Sequence, residues 1–251
     1  MRAWSIGLLL WALGGCVVTE QTGPRQEPAT DDARIQAHLS VARAYLQGGD
    51  TQRARVALER AAAVDPNDLN VLLLYAALYE LEGEFGLAED WYRRALRRSR
   101  RDARVNNNYG AFLYARGRYS DAAKALAIAS EDPDYPNRPQ ALMNLGQAAL
   151  QVPDHAQALA AFQRAVSLNP ELGRGHLEVA ALLSEQGDFE VARIHYEQFR
   201  RRVRQNARSL FVGIRIARGL SDTNGEASFA MQLRNMFPDS REHSEYQRMR
   251  R

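Results

Sequence analysis

Three glycines, Gly49, Gly83 and Gly117, stand 34 residues apart, and two columns of alanine keep the same spacing: Ala54, Ala88 and Ala122, then Ala61, Ala95 and Ala129. After Gly117 the register slips by two residues and resumes, with Pro153, Ala158 and Ala165 in the Gly, Ala and Ala columns. Gly187 and Ala192 follow after another 34, while Phe199 replaces the last alanine. A fixed period of this length argues against a single closed core. Each unit is one supersecondary element that buries its apolar face only against its neighbours.

The period is that of the tetratricopeptide repeat, a helix–turn–helix unit, and predicts an all-α superhelix of six repeats. Alanine-rich composition, with only 17 Gly and 9 Pro in 251 residues, suits helices and excludes a collagen-like or disordered chain. The repeats fall at 35–68, 69–102, 103–136, 139–172, 173–206 and 207–240. Position eight is small in the first five, as Ala42, Ala76, Gly110, Gly146 and Ala180, and becomes Ile214 in the sixth. Position 20 is alanine, so that paired helices approach closely. The glycine near position 15 ends the first helix where a positive φ is needed. Pro66, Pro170 and Pro238 stand after the second helices, which the ring cannot continue. Tyr92, Phe162 and Tyr196 occupy position 24 and fill the space between helices. In the degenerate sixth unit, Gly225-Glu226-Ala227 shifts the small residue by one. Residues 241–251 read as a polar helical extension or frayed tail.

Ahead of the repeats, Met1-Arg2 is a short positive segment and Trp4 to Leu13 an uncharged apolar stretch. That stretch is too short to cross a ~30 Å hydrocarbon core and reads as a signal peptide over 1–15. It ends in Leu13-Gly14-Gly15-Cys16, which resembles a bacterial lipobox. Cys16 is the one cysteine, so no internal disulfide and no multi-cysteine metal site is available. The resemblance implies a covalent lipid on Cys16, and no other cofactor is expected. Val17, rather than Asp, follows the cysteine, which implies passage to the periplasmic face of the outer membrane. Residues 16–34, with Pro24 and Pro28, read as a lipidated flexible tether.

The third repeat and the insertion after it carry more than the repeat pattern. They read Asn106-Asn107-Asn108-Tyr109-Gly110-Ala111-Phe112-Leu113, then Gly117-Arg118-Tyr119, Asp132-Pro133-Asp134-Tyr135-Pro136 and Asn144-Leu145-Gly146. This string closely resembles the type IV pilus biogenesis lipoproteins of the PilF/PilW family, the pilotins of the pilus secretin. Lipobox, repeat number and length extend the resemblance over essentially the whole chain. It implies a monomeric assembly factor that binds secretin subunits, brings them to the outer membrane and promotes their multimerisation for pili and twitching motility. At Tyr114 many relatives carry a second cysteine, so the resemblance brings no redox role to that position. The alternative is another periplasmic repeat lipoprotein, a β-barrel assembly component or an adaptor for murein hydrolases.

In such a superhelix the first helix of each repeat lines the inner wall. Positions 2, 5, 9, 12 and 13 are expected to point into the groove. They place Leu39, Arg43, Leu46, Leu73, Leu81, Asn107, Tyr114, Met143, Gln147 and Leu150 along a partner-binding surface, an apolar strip bordered by amides. Few cations are expected on this wall. Arg93, Arg94, Arg97, Arg98, Arg100 and Arg101 cluster at the end of one second helix, and Arg200, Arg201, Arg202 and Arg204 at another. The helix dipole favours cations there, on a solvated outer face, with an anionic lipid contact as the alternative. Net charge is only +3, and an exported protein does not meet nucleic acid. His38 and His176 occupy packing positions, and His155, His195 and His243 lack ligand spacing. No Gly-x-Ser-x-Gly and no phosphate loop is present, and the paired acids Glu131-Asp132 precede a proline and read as the insertion turn, so no catalytic residue and no enzyme is expected.

Overall fold

The computed structural model describes residues 30–250. Those residues form thirteen helices and no strand, in six antiparallel pairs and a terminal helix. The pairs are α1 (Asp31–Gln47) with α2 (Thr51–Ala62), α3 (Leu69–Leu81) with α4 (Phe85–Arg98), and α5 (Ala103–Ala115) with α6 (Tyr119–Glu131). Next come α7 (Arg138–Gln151) with α8 (His155–Leu168), α9 (Gly173–Gln186) with α10 (Phe189–Arg200), and α11 (Ala207–Gly219) with α12 (Thr223–Met236). Helix α13 (Arg241–Met249) closes the array. Helix α1 begins inside the segment read as tether, because Thr30 caps it by accepting from the Ala33 N–H.

Local chemistry sets these boundaries. Asp50, Asp68, Asp102, Asp154 and Asp222 each accept first-turn N–H groups that have no partner within the helix. Four of the turns inside the pairs rest on glycine at φ of 74–86°: Gly49, Gly83, Gly117 and Gly187. In the sixth pair the same place falls to Ser221 at φ 57°, a conformation that costs a side-chain-bearing residue about 1 kcal/mol.

The two alanine columns are the axis of packing. Ala54, Ala88, Ala122, Ala158 and Ala192 are fully buried, as are Ala61, Ala95, Ala129 and Ala165. At position eight the backbone itself is the contact surface. A Cβ on Gly146 would lie 2.5 Å from the Phe162 ring, whose side chain is fully buried. The sixth repeat departs from expectation. Ala227 does not take over the small column, because it is exposed. Glu226 stands there instead, and Arg218 Nη2 donates to its carboxylate at 2.6 Å. Arg218 holds the Glu226 carboxyl below the usual carboxylate range. The tail takes the first of its two expected forms, a helical extension. Tyr246 of α13 is buried against Leu210, Phe211, Ile214 and Leu233, covering the apolar end that a last repeat leaves open.

Candidate functional site

Along the array α1 touches α3, α3 touches α5, α5 touches α7, and α9 touches α11, whereas the even-numbered helices pack on odd-numbered ones. Odd helices therefore form the inner wall and even helices the outer face. On that wall polar side chains join successive repeats. Arg104 Nη1 donates to Asn70 Oδ1 at 2.8 Å across α3 and α5. Asn144 Nδ2 donates to Asn107 Oδ1 at 3.4 Å across α5 and α7, and Gln140 Nε2 donates to Asn144 Oδ1 at 2.9 Å. Asp102 fixes Arg104 with a 3.0 Å ion pair. Burial pushes the Asp102 carboxyl up, but bonds from Arg104 and from two backbone N–H groups outweigh it and hold the group low.

The predicted apolar strip is largely closed. Leu39 is fully buried in the first core and touches no groove, because α1 and α3 pack together over position five. Leu73 and Met143 are covered in the same way, each 8% exposed. Leu46, Asn107, Tyr114, Gln147 and Leu150 are half-buried, and Arg43 is exposed. Leu81 is 51% exposed, at the end of α3. The accessible wall is therefore a row of amides with isolated apolar side chains between them.

The wall deepens between α7, α9 and α11 into a cavity of about 660 Å³. Gln140, Asn144 and Gln147 line one side, Met143 and Leu177 supply apolar patches, and Arg174, Arg204 and Arg208 stand opposite. This corrects the expectation of few cations. Arg208 grips Glu178 with two bonds, 2.7 and 2.6 Å, while Arg174 and Arg204 have no carboxylate within 4.0 Å among the described residues. Position two is arginine in repeats three, five and six (Arg104, Arg174 and Arg208), a column visible in the sequence. Amides that bond a peptide backbone, apolar niches for alternate side chains and two free guanidinium groups suit an extended segment carrying a carboxylate.

Two histidines that looked scattered meet. His176 Nε2 lies 3.1 Å from the Pro170 carbonyl and His176 Nδ1 3.0 Å from His195 Nδ1. The Pro170 carbonyl accepts from His176 Nε2–H, so when both rings are neutral His195 Nδ1–H donates to His176 Nδ1. Burial pushes both imidazoles below their ordinary range. No group of three or more His, Cys, Asp or Glu side chains among the described residues is placed to hold a metal ion.

Tetratricopeptide-repeat family models match residues 45–107 and 112–172. The type IV pilus assembly protein PilF of Pseudomonas aeruginosa is 38% identical over 248 residues, 98% of each chain. The chain belongs to the PilF family. The solved structure of Pseudomonas aeruginosa PilF superimposes with a TM-score of 0.77, covering 87% of this chain and 99% of that one. PilW, a widely conserved type IV pilus biogenesis factor, superimposes at 0.65 with 26% identity, covering 84% and 97%. As a member of the PilF family the chain is a cell-envelope scaffold of pilus assembly that acts through protein partners, not an enzyme. Cys16 and the lipobox lie outside the described residues.

Proposed function

We propose that this protein is an outer-membrane lipoprotein that binds secretin subunits of the type IV pilus through its inner wall and promotes their assembly into multimers. The end-to-end likeness to a type IV pilus assembly protein carries this reading. The lipobox at Cys16 supplies the address. Acyl chains on Cys16 anchor the protein, each buried CH₂ contributing about 0.8 kcal/mol, and the segment before Asp31 lets the repeats reach into the periplasm. The amides of Asn107, Asn144 and Gln147 and the guanidinium groups of Arg174 and Arg204 hold a segment of the secretin subunit. Anchoring then concentrates bound subunits in two dimensions, where they meet and close into a ring. Affinity and address suffice for this, without chemistry at the site.

The test is a gene deletion read by heat-resistant secretin bands on a gel. Secretin monomer is expected to persist while multimers, surface pili and twitching are lost. Cys16→Ala is expected to leave a protein that no longer takes up labelled palmitate and no longer supports multimers. The pair Asn107→Leu with Gln147→Leu removes backbone-bonding amides without adding charge, and is expected to lower multimers while helicity and anchoring stay normal. Normal multimers in the deletion strain reject the pilotin role, and normal multimers in the amide pair move the site off the inner wall.

A further inference from the structure

The outer face carries a second groove, independent of the inner-wall reading. Helices α4 and α6 both pack on α5, linked to each other at their two ends by the ion pairs Glu89–Arg118 and Arg101–Glu131, and α4 sits less closely on α5 than α6 does on α7. The gap between them is an open groove of about 620 Å³ whose floor is apolar, made by Leu96, Tyr109, Leu113, Ala125 and Ile128. Its rim is basic: Arg93, Arg97 and Arg100 on one side, Arg118 and Lys124 on the other, with Asp121 as the acid among its lining residues.

One carboxylate of the chain shows how this rim treats an acid. Glu89 Oε1 accepts from Arg93 Nη2 at 2.8 Å, Arg118 Nη1 at 2.7 Å and the Tyr109 hydroxyl at 3.0 Å. Burial pushes the Glu89 carboxyl up, yet these donors overcome it and hold the group low. Glu89 satisfies Arg93 and Arg118 but leaves the rest of the rim open. Arg97 and Arg100 have no carboxylate within 4.0 Å among the described residues, and Lys124 reaches only Asp121, at 3.8 Å. Unpaired cations thus border an apolar strip in which Leu96, Tyr109 and Ile128 are half-buried and Leu113 and Ala125 lie buried beneath.

We infer that this groove docks an acidic amphipathic helix of a partner protein. The groove is open to solvent along α4 and α6 with α5 as its floor, and a helix with its side chains is about 10 Å across. A helix laid in it buries leucine-like side chains on Leu96, Tyr109 and Ile128 and sets Glu or Asp side chains against Arg97, Arg100 and Lys124. A flat anionic bilayer reaches the rim but not the recessed floor, and a small anion uses the cations and leaves the floor wet. Only an amphipathic segment uses both features.

The probe is a fluorescein-labelled peptide of about 15 residues, built from Leu and Glu at helical spacing, with a companion in which every Glu is Gln. Binding to the full chain is read by fluorescence anisotropy. Arg97→Ala with Arg100→Ala is expected to weaken the acidic peptide about tenfold or more. Ile128→Ser is expected to weaken it severalfold, and the Gln peptide to bind as poorly as the acidic peptide binds the arginine pair. Arg200→Ala with Arg201→Ala removes equal charge elsewhere and is expected to change nothing. The inference is overturned if the two arginine pairs lose binding equally. It is also overturned if Ile128→Ser has no effect while phosphatidylglycerol vesicles depend on Arg97 and Arg100, which makes the groove a lipid contact.

Discussion

Gly146→Ala is the sharpest test of how the helix pairs are built. Glycine inside a helix costs roughly 1 kcal/mol relative to alanine, so on propensity alone this change stabilises α7. The packing opposes it. The added methyl lies 2.5, 2.6 and 2.7 Å from three atoms of the Phe162 ring, which is fully buried and has no room to retreat. Ordinary contact requires about 3.5–4 Å, so α7 and α8 must separate or the ring must leave its rotamer, at about 1–3 kcal/mol. The net is a loss of about 1 kcal/mol in the wild-type background. Shortening the partner reduces the loss. Phe162→Leu alone costs about 1–2 kcal/mol through lost volume, but it recreates the Ala42–Leu58 pairing of the first repeat, where both residues are fully buried. In that background Gly146→Ala is expected to cost less than in the wild type without becoming fully free, because in the third repeat a Cβ on Gly110 would still lie 2.6 Å from Leu126 Cγ. Urea unfolding followed by circular dichroism gives the midpoints, with the slope checked because a solenoid can lose cooperativity. Equal stabilisation by Gly146→Ala in both backgrounds refutes the close approach.

Ser221→Gly relieves the left-handed turn of the sixth pair and is expected to stabilise by about 0.5–1 kcal/mol, read as a higher melting temperature. Ala122→Arg forces a charged chain into a fully buried helix contact and is expected to cost about 3–5 kcal/mol, with a broader melt and lost helicity. The His176–His195 pair predicts acid sensitivity. Both imidazoles are depressed by burial, so below about pH 6.5 the unfolded chain binds more protons than the folded one. That contribution to stability is complete at higher pH and falls as the pH drops through this window. His195→Gln should flatten the dependence between neutral and mildly acidic melts, and an unchanged slope would show that other groups control it.

The repeat architecture was legible because each column has one steric job. Ala88 and Ala122 must be small wherever the chain places them, so spacing alone reveals packing. Depth on the inner wall was not legible. Periodicity names the face of a residue, but Leu39 inside α1 is fully buried while Leu81 at the end of α3 is exposed, and that depth depends on how far neighbouring helices close over each. Pairs formed across helices were also hidden. Nothing in the spacing of His176 and His195, or of Arg218 and Glu226, shows that their side chains converge. Glu226 in an alanine column was a visible irregularity whose partner only the fold supplies. Conversely, the arginines at position two were open to a column-by-column reading, and they change the chemistry of the wall from apolar to amide and cation.

Photocrosslinking in living cells addresses the inner-wall contact directly. A benzophenone amino acid replaces Gln147 on the inner wall, and in a parallel strain Arg193 on the outer side of α10, each exposed enough to accept it. After irradiation, the protein is recovered from membrane fractions and crosslinked bands are probed for secretin. A secretin adduct from position 147, absent from position 193 and lost when Arg174→Ala and Arg204→Ala are combined, is the predicted result. Strong secretin adducts from position 193 with none from position 147 would contradict it and place the partner on the outer face.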